Sequence, residues 1–103
     1  MFFRIATLAL AQAFDLATFW LMVWWRGPSA EANPLVARLL DTLGLPALSL
    51  AKLAVVVLVG SLALAAAARG TRGIWAAVGG IPLALAIAAG LIGGITNAAT
   101  FLA

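Results

Sequence analysis

The chain contains no cysteine, no histidine and no tyrosine. Without cysteine there is no disulfide, and the sequence is silent on redox compartment. Without histidine, the usual protein ligand of haem, chlorophyll and transition metals is missing, and no cofactor is implied. With all three absent, no usual nucleophile–base pair can be assembled. Charge is scarce too: six basic and three acidic residues among 103. A net charge of +3 is too sparse for a nucleic-acid partner and reads as control of topology.

What the chain does have is apolar surface. Hydrophobic residues make up 66% of it, and its mean hydropathy is +1.20. A soluble domain of this size has no interior large enough to hide that surface. The chain is therefore read as an integral membrane protein with the bilayer as its first partner. Lipid forces each backbone polar group to find its partner within the protein, which favours helices. The alternating strands of a membrane β-barrel are not visible. The expected fold is an all-α membrane protein of one domain. Three transmembrane helices cover about 5–25, 47–68 and 80–102, with a short amphipathic helix at about 34–43 in the first loop.

The first span, Ile5 to Trp25, carries a carboxylate, Asp15, near its middle. A charge at that depth costs about 2.5–3.5 kcal/mol on insertion scales. Roughly nine strongly apolar residues, at about −0.3 to −0.6 kcal/mol each, offset it. The span still inserts, and the cost predicts that Asp15 has a partner or a task. Residues three or four apart share a helix face, so Ala11, Gln12, Thr18, Phe19 and Met22 lie with Asp15. That face can pack on other helices through polar side chains or line a path for a substrate or ion. Arg4 and the small residues around Gln12 imitate a secretory signal. The apolar run continues well past Ala13, so the segment is read as an uncleaved span.

Trp24, Trp25 and Arg26 form an interfacial belt, and Gly27-Pro28 breaks the helix. Asn33 is a suitable N-cap and Pro34 suits the first helical position. Leu35, Val36, Leu39, Leu40 and Leu43 make an apolar face opposite Arg38, Asp41 and Thr42. Gly44 and Pro46 stop this helix, which is too short to cross and should lie in the interface or over the bundle. The second span places Ser49 and Lys52 on one face, continued by Val55, Val56, Val59 and Gly60. A basic turn, Arg69 to Arg72, follows. Gly79, Gly80 and Pro82 predict a kink or a late start for the third span. Its small-residue stripe is Ala86, Gly90, Gly93 and Gly94, leading to Asn97 and Thr100. Gly90 and Gly94 form a small-xxx-small pair that permits close helix approach.

Arg4, Arg69 and Arg72 fall on one side of a three-span protein. Arg26 and Arg38 on the other side are balanced by Glu31 and Asp41. The positive-inside rule then predicts a cytoplasmic N-terminus, with the first loop and C-terminus outside a bacterial cytoplasmic membrane. At 1.5 Å per residue, Asp15 lies about 15 Å below Trp25, and Lys52 and Asn97 about 9 Å below their span ends. An extended lysine bridges the offset. The expectation is an Asp15–Lys52 pair flanked by Gln12, Thr18, Ser49 and Asn97. The rival is a Lys52 that snorkels to the headgroups.

An Asp in span one, the Glu31-Ala32-Asn33-Pro34 motif, a Lys in span two and an Asn late in span three resemble a family of small prokaryotic membrane proteins. This is domain-of-unknown-function family 5658. The resemblance implies a small helical bundle with these polar positions, carries Glu31, Asn33 and Pro34 over as motif residues, and supplies no activity. Read alone, Glu31 is a solvated charge near the positive end of a helix dipole.

The functional expectation is a non-enzymatic accessory subunit or interaction protein, in a homo-oligomer or a larger membrane complex. The rival class is permeation: a channel, transporter or holin-like oligomer using the same polar face. A Ser49–Lys52 dyad for acyl transfer and carboxylate metal binding by Glu31, Asp41 and Asn33 complete the alternatives.

Overall fold

The computed structural model describes residues 2–27, 31 and 34–103. It consists of α1 (Phe2–Arg26), α2 (Pro34–Leu43), α3 (Leu45–Arg69) and α4 (Ile74–Leu102). No strand occurs among the described residues. Three of the helices, α1, α3 and α4, are long and apolar enough to cross a membrane. The bundle measures 45 × 25 × 19 Å, so its long axis exceeds the hydrocarbon thickness of about 30 Å. This is an all-α, multi-pass membrane protein.

Glycine sets the breaks. Gly27 adopts φ +86° and Gly44 φ +83°, a region that costs L side chains energy. Their N–H groups donate to Val23 O at 3.0 Å and Leu40 O at 2.9 Å, closing α1 and α2. Gly44 alone separates α2 from α3. Pro46 therefore sits in the first turn of α3, where a proline needs no backbone donor. It starts the second span rather than merely stopping α2. Pro34 opens α2 as expected. The proposed cap Asn33, like Pro28, lies outside the described residues.

The third span differs from expectation at its start. Helix α4 begins at Ile74 and runs through Gly79, Gly80 and Pro82 without interruption. Pro82 removes one intrahelical donor, but in lipid a broken helix would expose several more polar groups. The earlier start also brings Trp75 into the helix. At 1.5 Å per residue its 29 residues reach about 44 Å, more than one bilayer core requires.

Two apolar clusters form the core. Phe19 and Met22 of α1 meet Leu40 of α2 and Leu48 of α3 at one end. Leu8, Ala63 and Leu83 meet at the other. Asp15, Lys52 and Asn97 occupy the layer between them. On α1 the buried stripe is Leu8, Ala11, Asp15, Phe19 and Met22, the face the sequence predicts. On α4 it is Gly79, Leu83, Gly90, Gly94 and Asn97. On α3 the buried residues are Leu48, Gly60, Ala63 and Ala66, while Val55 is 50% exposed. Of the predicted line, Gly60 is buried and Val56 and Val59 pack on the core, and only Val55 is turned outward. On α2 only the stripe Val36, Leu39 and Leu40 packs inward over the bundle end. Leu35 and Leu43 remain 65% and 52% exposed, because they flank that stripe rather than extend it.

Candidate functional site

Asp15 sits one turn from Ala11 and Phe19 on the face of α1 that both neighbouring helices cover. Its Oδ2 accepts a 2.7 Å hydrogen bond from Lys52 Nζ on α3. Its Oδ1 accepts one of 3.0 Å from Asn97 Nδ2 on α4. The same amide lies 3.2 Å from the backbone oxygen of Asp15. One residue from each span thus meets at a single carboxylate. The expected pair is present and the snorkelling alternative is not adopted. Side-chain exposure is 24% for Lys52 and 10% for Asp15, so the ion pair is largely withdrawn from its surroundings. Such a pair holds only when the leftover valences are filled. Asn97 fills the second carboxylate oxygen, and the Phe19 ring lies 5.9 Å from the ammonium, within cation–π range.

Gly93 makes room for this arrangement. A Cβ there would stand 2.6 Å from Asp15 Oδ1 and 2.9 Å from its Cγ. Gly90 and Gly94 do the packing that their spacing predicts. A Cβ on Gly90 would come within 2.9 Å of the Ala11 backbone, and one on Gly94 would overlap the Phe14 ring. The α1–α4 seam is consequently the closest in the bundle.

The other predicted residues divide. Thr18 joins the cluster: its Oγ1 lies 2.8 Å from Phe14 O and 3.0 Å from Asp15 O, and receives Asn97 Nδ2 at 3.5 Å. Gln12 sits a turn away and donates instead to Ala86 O at 2.7 Å, tying α1 to α4. Ser49 does not flank the pair. Its hydroxyl donates to Leu45 O and accepts the Trp20 indole N–H, both at 2.8 Å. Sharing a helix face with Lys52 gave it the wrong neighbour, because the indole reaches across from α1 first. Arg26 also has a specific role, donating to Phe101 O at 3.3 Å at the end of α4. A cation there complements the helix dipole.

Beside the pair lies a cavity of about 600 Å³. Asp15, Lys52, Asn97 and Thr96 contribute its polar lining, Phe19 and Ile92 part of its apolar wall, and Glu31 reaches it from the loop. Glu31 is half-buried, not a fully solvated charge. No local pattern in the sequence signals that placement; only the Glu-x-Asn-Pro motif singled the residue out. Asp41, by contrast, is exposed on α2. Among the described residues no three His, Cys, Asp or Glu side chains gather as metal ligands would. Toward the other end of the bundle Leu8, Ala63 and Leu83 pack fully buried against one another.

No family model, curated protein or solved structure matches the chain, so its resemblance to family 5658 rests on the sequence motifs alone.

Proposed function

We propose that this chain is a small non-enzymatic subunit or interaction protein of a bacterial cytoplasmic membrane, in which the Asp15 node fixes how three spans sit together. One observation carries the reading. Among the described residues, no buried side-chain nitrogen or oxygen lacks a hydrogen-bond partner. The buried polar groups satisfy one another, as a structural joint requires. Ser49 and Lys52 in particular are engaged with different partners, which speaks against their acting as a dyad. Partner helices have ample surface to meet: only 17% to 28% of the most apolar stretch of each span is buried within the protein. Lipid or other helices cover the rest. The basic residues favour Arg4, Arg69 and Arg72 on the cytoplasmic side.

The test is mass in mild detergent, starting from native membranes. An accessory subunit elutes in a particle heavier than one chain with its detergent belt. A stable, homogeneous monomer argues against the reading.

The cavity supports a second reading, permeation by an oligomer that joins several such cavities. Its wall includes a charged pair, and intramembrane ionisable residues commonly mark ion or proton paths. Proton or ion flux into liposomes decides. Flux that disappears in Asp15→Asn replaces the structural reading with this one, and absent flux removes it.

A further inference from the structure

The charges of the chain are segregated. Arg26, Arg38 and Lys52 are matched in number by Asp15, Glu31 and Asp41. The whole net charge of +3 therefore equals the three arginines at the opposite end: Arg4, Arg69 and Arg72. No acidic residue lies at that end. A cleft of about 270 Å³ opens at that end, and Arg4 lines it. Arg4, Thr71 and Trp75 form its rim, and Ala63, Gly79 and Gly80 its floor. The Arg69 guanidinium stacks 5.3 Å from the centre of the Trp75 ring, which holds it beside that rim. Neither the Arg4 nor the Arg72 guanidinium has an ion-pair partner among the described residues. There is room at Gly80, where a Cβ would meet nothing within 4 Å, whereas one on Gly79 would stand 3.1 Å from Ala66 Cβ.

We infer that this cleft binds the phosphate headgroup of an anionic phospholipid. Guanidinium groups recognise phosphate through charge-assisted hydrogen bonds. Basic pockets between spans are suited to anionic headgroups, and an indole at the rim lies at headgroup depth. The alanine and glycine floor between α3 and α4 gives the first carbons of an acyl chain a place to lie. The site is separate from the Asp15 node and holds whether or not the chain is a subunit of something larger.

The experiment is native mass spectrometry of the whole protein in mild detergent, titrated with phosphatidylglycerol or phosphatidylcholine. Phosphatidylglycerol is expected to be retained in preference. Each arginine near an anionic surface is worth about a five-fold change in affinity, so Arg4→Gln and Arg69→Gln should each weaken that retention by about that factor. Gly80→Leu should abolish the preference by filling the floor. Unchanged circular dichroism and unfolding in each variant establish that the fold survives. Equal retention of the two lipids overturns the proposal, as does undiminished phosphatidylglycerol binding by Gly80→Leu. Displacement of the lipid by millimolar inorganic phosphate overturns the lipid assignment in favour of a soluble anion.

Discussion

Asp15→Asn and Lys52→Met, singly and together, form the cycle that tests the central joint. Two magnitudes compete. Removing one partner of a buried ion pair in a soluble protein costs about 3–5 kcal/mol. Interhelical polar contacts in membranes average only about 0.6 kcal/mol and reach about 1.7. The Asp15–Lys52 bond is short, at 2.7 Å, and charge-assisted, which favours the upper part of the membrane range. The Lys52 side chain is 24% exposed and borders the large cavity, so a stranded ammonium can shift toward the headgroups. That escape lowers the cost of Asp15→Asn below the soluble-protein figure. The coupling between the two sites is then expected at about 1.5 kcal/mol, within the span seen for directly contacting residues, or about 13-fold in the unfolding constant. The assay is unfolding by sodium dodecyl sulfate in mixed micelles, followed through the fluorescence of the four tryptophans. Both single variants should be less stable than the parent, and the double variant should lose less than their sum. Additive losses, with coupling below about 0.5 kcal/mol, would mean the two charges do not hold the helices to each other.

Further predictions use the same assay. Gly93→Ala places a methyl 2.6 Å from Asp15 Oδ1 and should cost about 1–3 kcal/mol, the usual range for overpacking; in an Asp15→Ser background most of that cost should vanish. Gly90→Ala should be worse than Gly94→Ala. The first methyl meets the Ala11 backbone, which cannot yield, whereas the second meets the ring of Phe14, which is 39% exposed and free to swing toward lipid; equal losses would contradict this. Trp20→Phe keeps most of the apolar area and loses only the bond to Ser49, so its loss should stay near the average of about 0.6 kcal/mol for an interhelical membrane contact.

The sequence is informative where a helix is not uniformly apolar. Asp15, Gln12 and Thr18 stand out in α1, and the buried stripe follows them. Gly90, Gly94 and Asn97 mark the facing side of α4. Along α3 the signal is weaker: Val56, Val59 and Gly60 face inward as read, and Val55 does not. A span that is apolar on every side has no contrast between lipid and protein neighbours, so Val55 reads as an interior residue and is not one. Ser49 shows a related limit: spacing on one helix identifies a face but not what another helix presents to it. Trp20, 29 residues away, was invisible to any local pattern. At Pro82 the late start that local chemistry allows is not taken and α4 runs through it, because a bilayer penalises a broken helix more than one missing donor.

The two seams of α1 illustrate why the node sits where it does. Lipid tails are as apolar as leucine, so burying leucine against leucine provides little drive for helices to associate in a bilayer. Close backbone approach or interhelical hydrogen bonds must supply it. The α1–α4 seam uses both, with Gly90 and Gly94 against Ala11 and Phe14 and hydrogen bonds from Gln12 to Ala86 and Asn97 to Asp15. The α1–α3 seam is much looser and carries no glycine whose Cβ would meet α1. There the second solution takes over, with Trp20 to Ser49 and Asp15 to Lys52 reaching across the gap. Helix α3 also leans on α4 near the basic end, where Gly79 lies against Ala66 and Ala63. The polar links to α1 are all toward the α2 end, where that glycine contact is absent. On this division of labour, loss of the Asp15 node should free the α2 end of α3 while leaving α1 and α4 together.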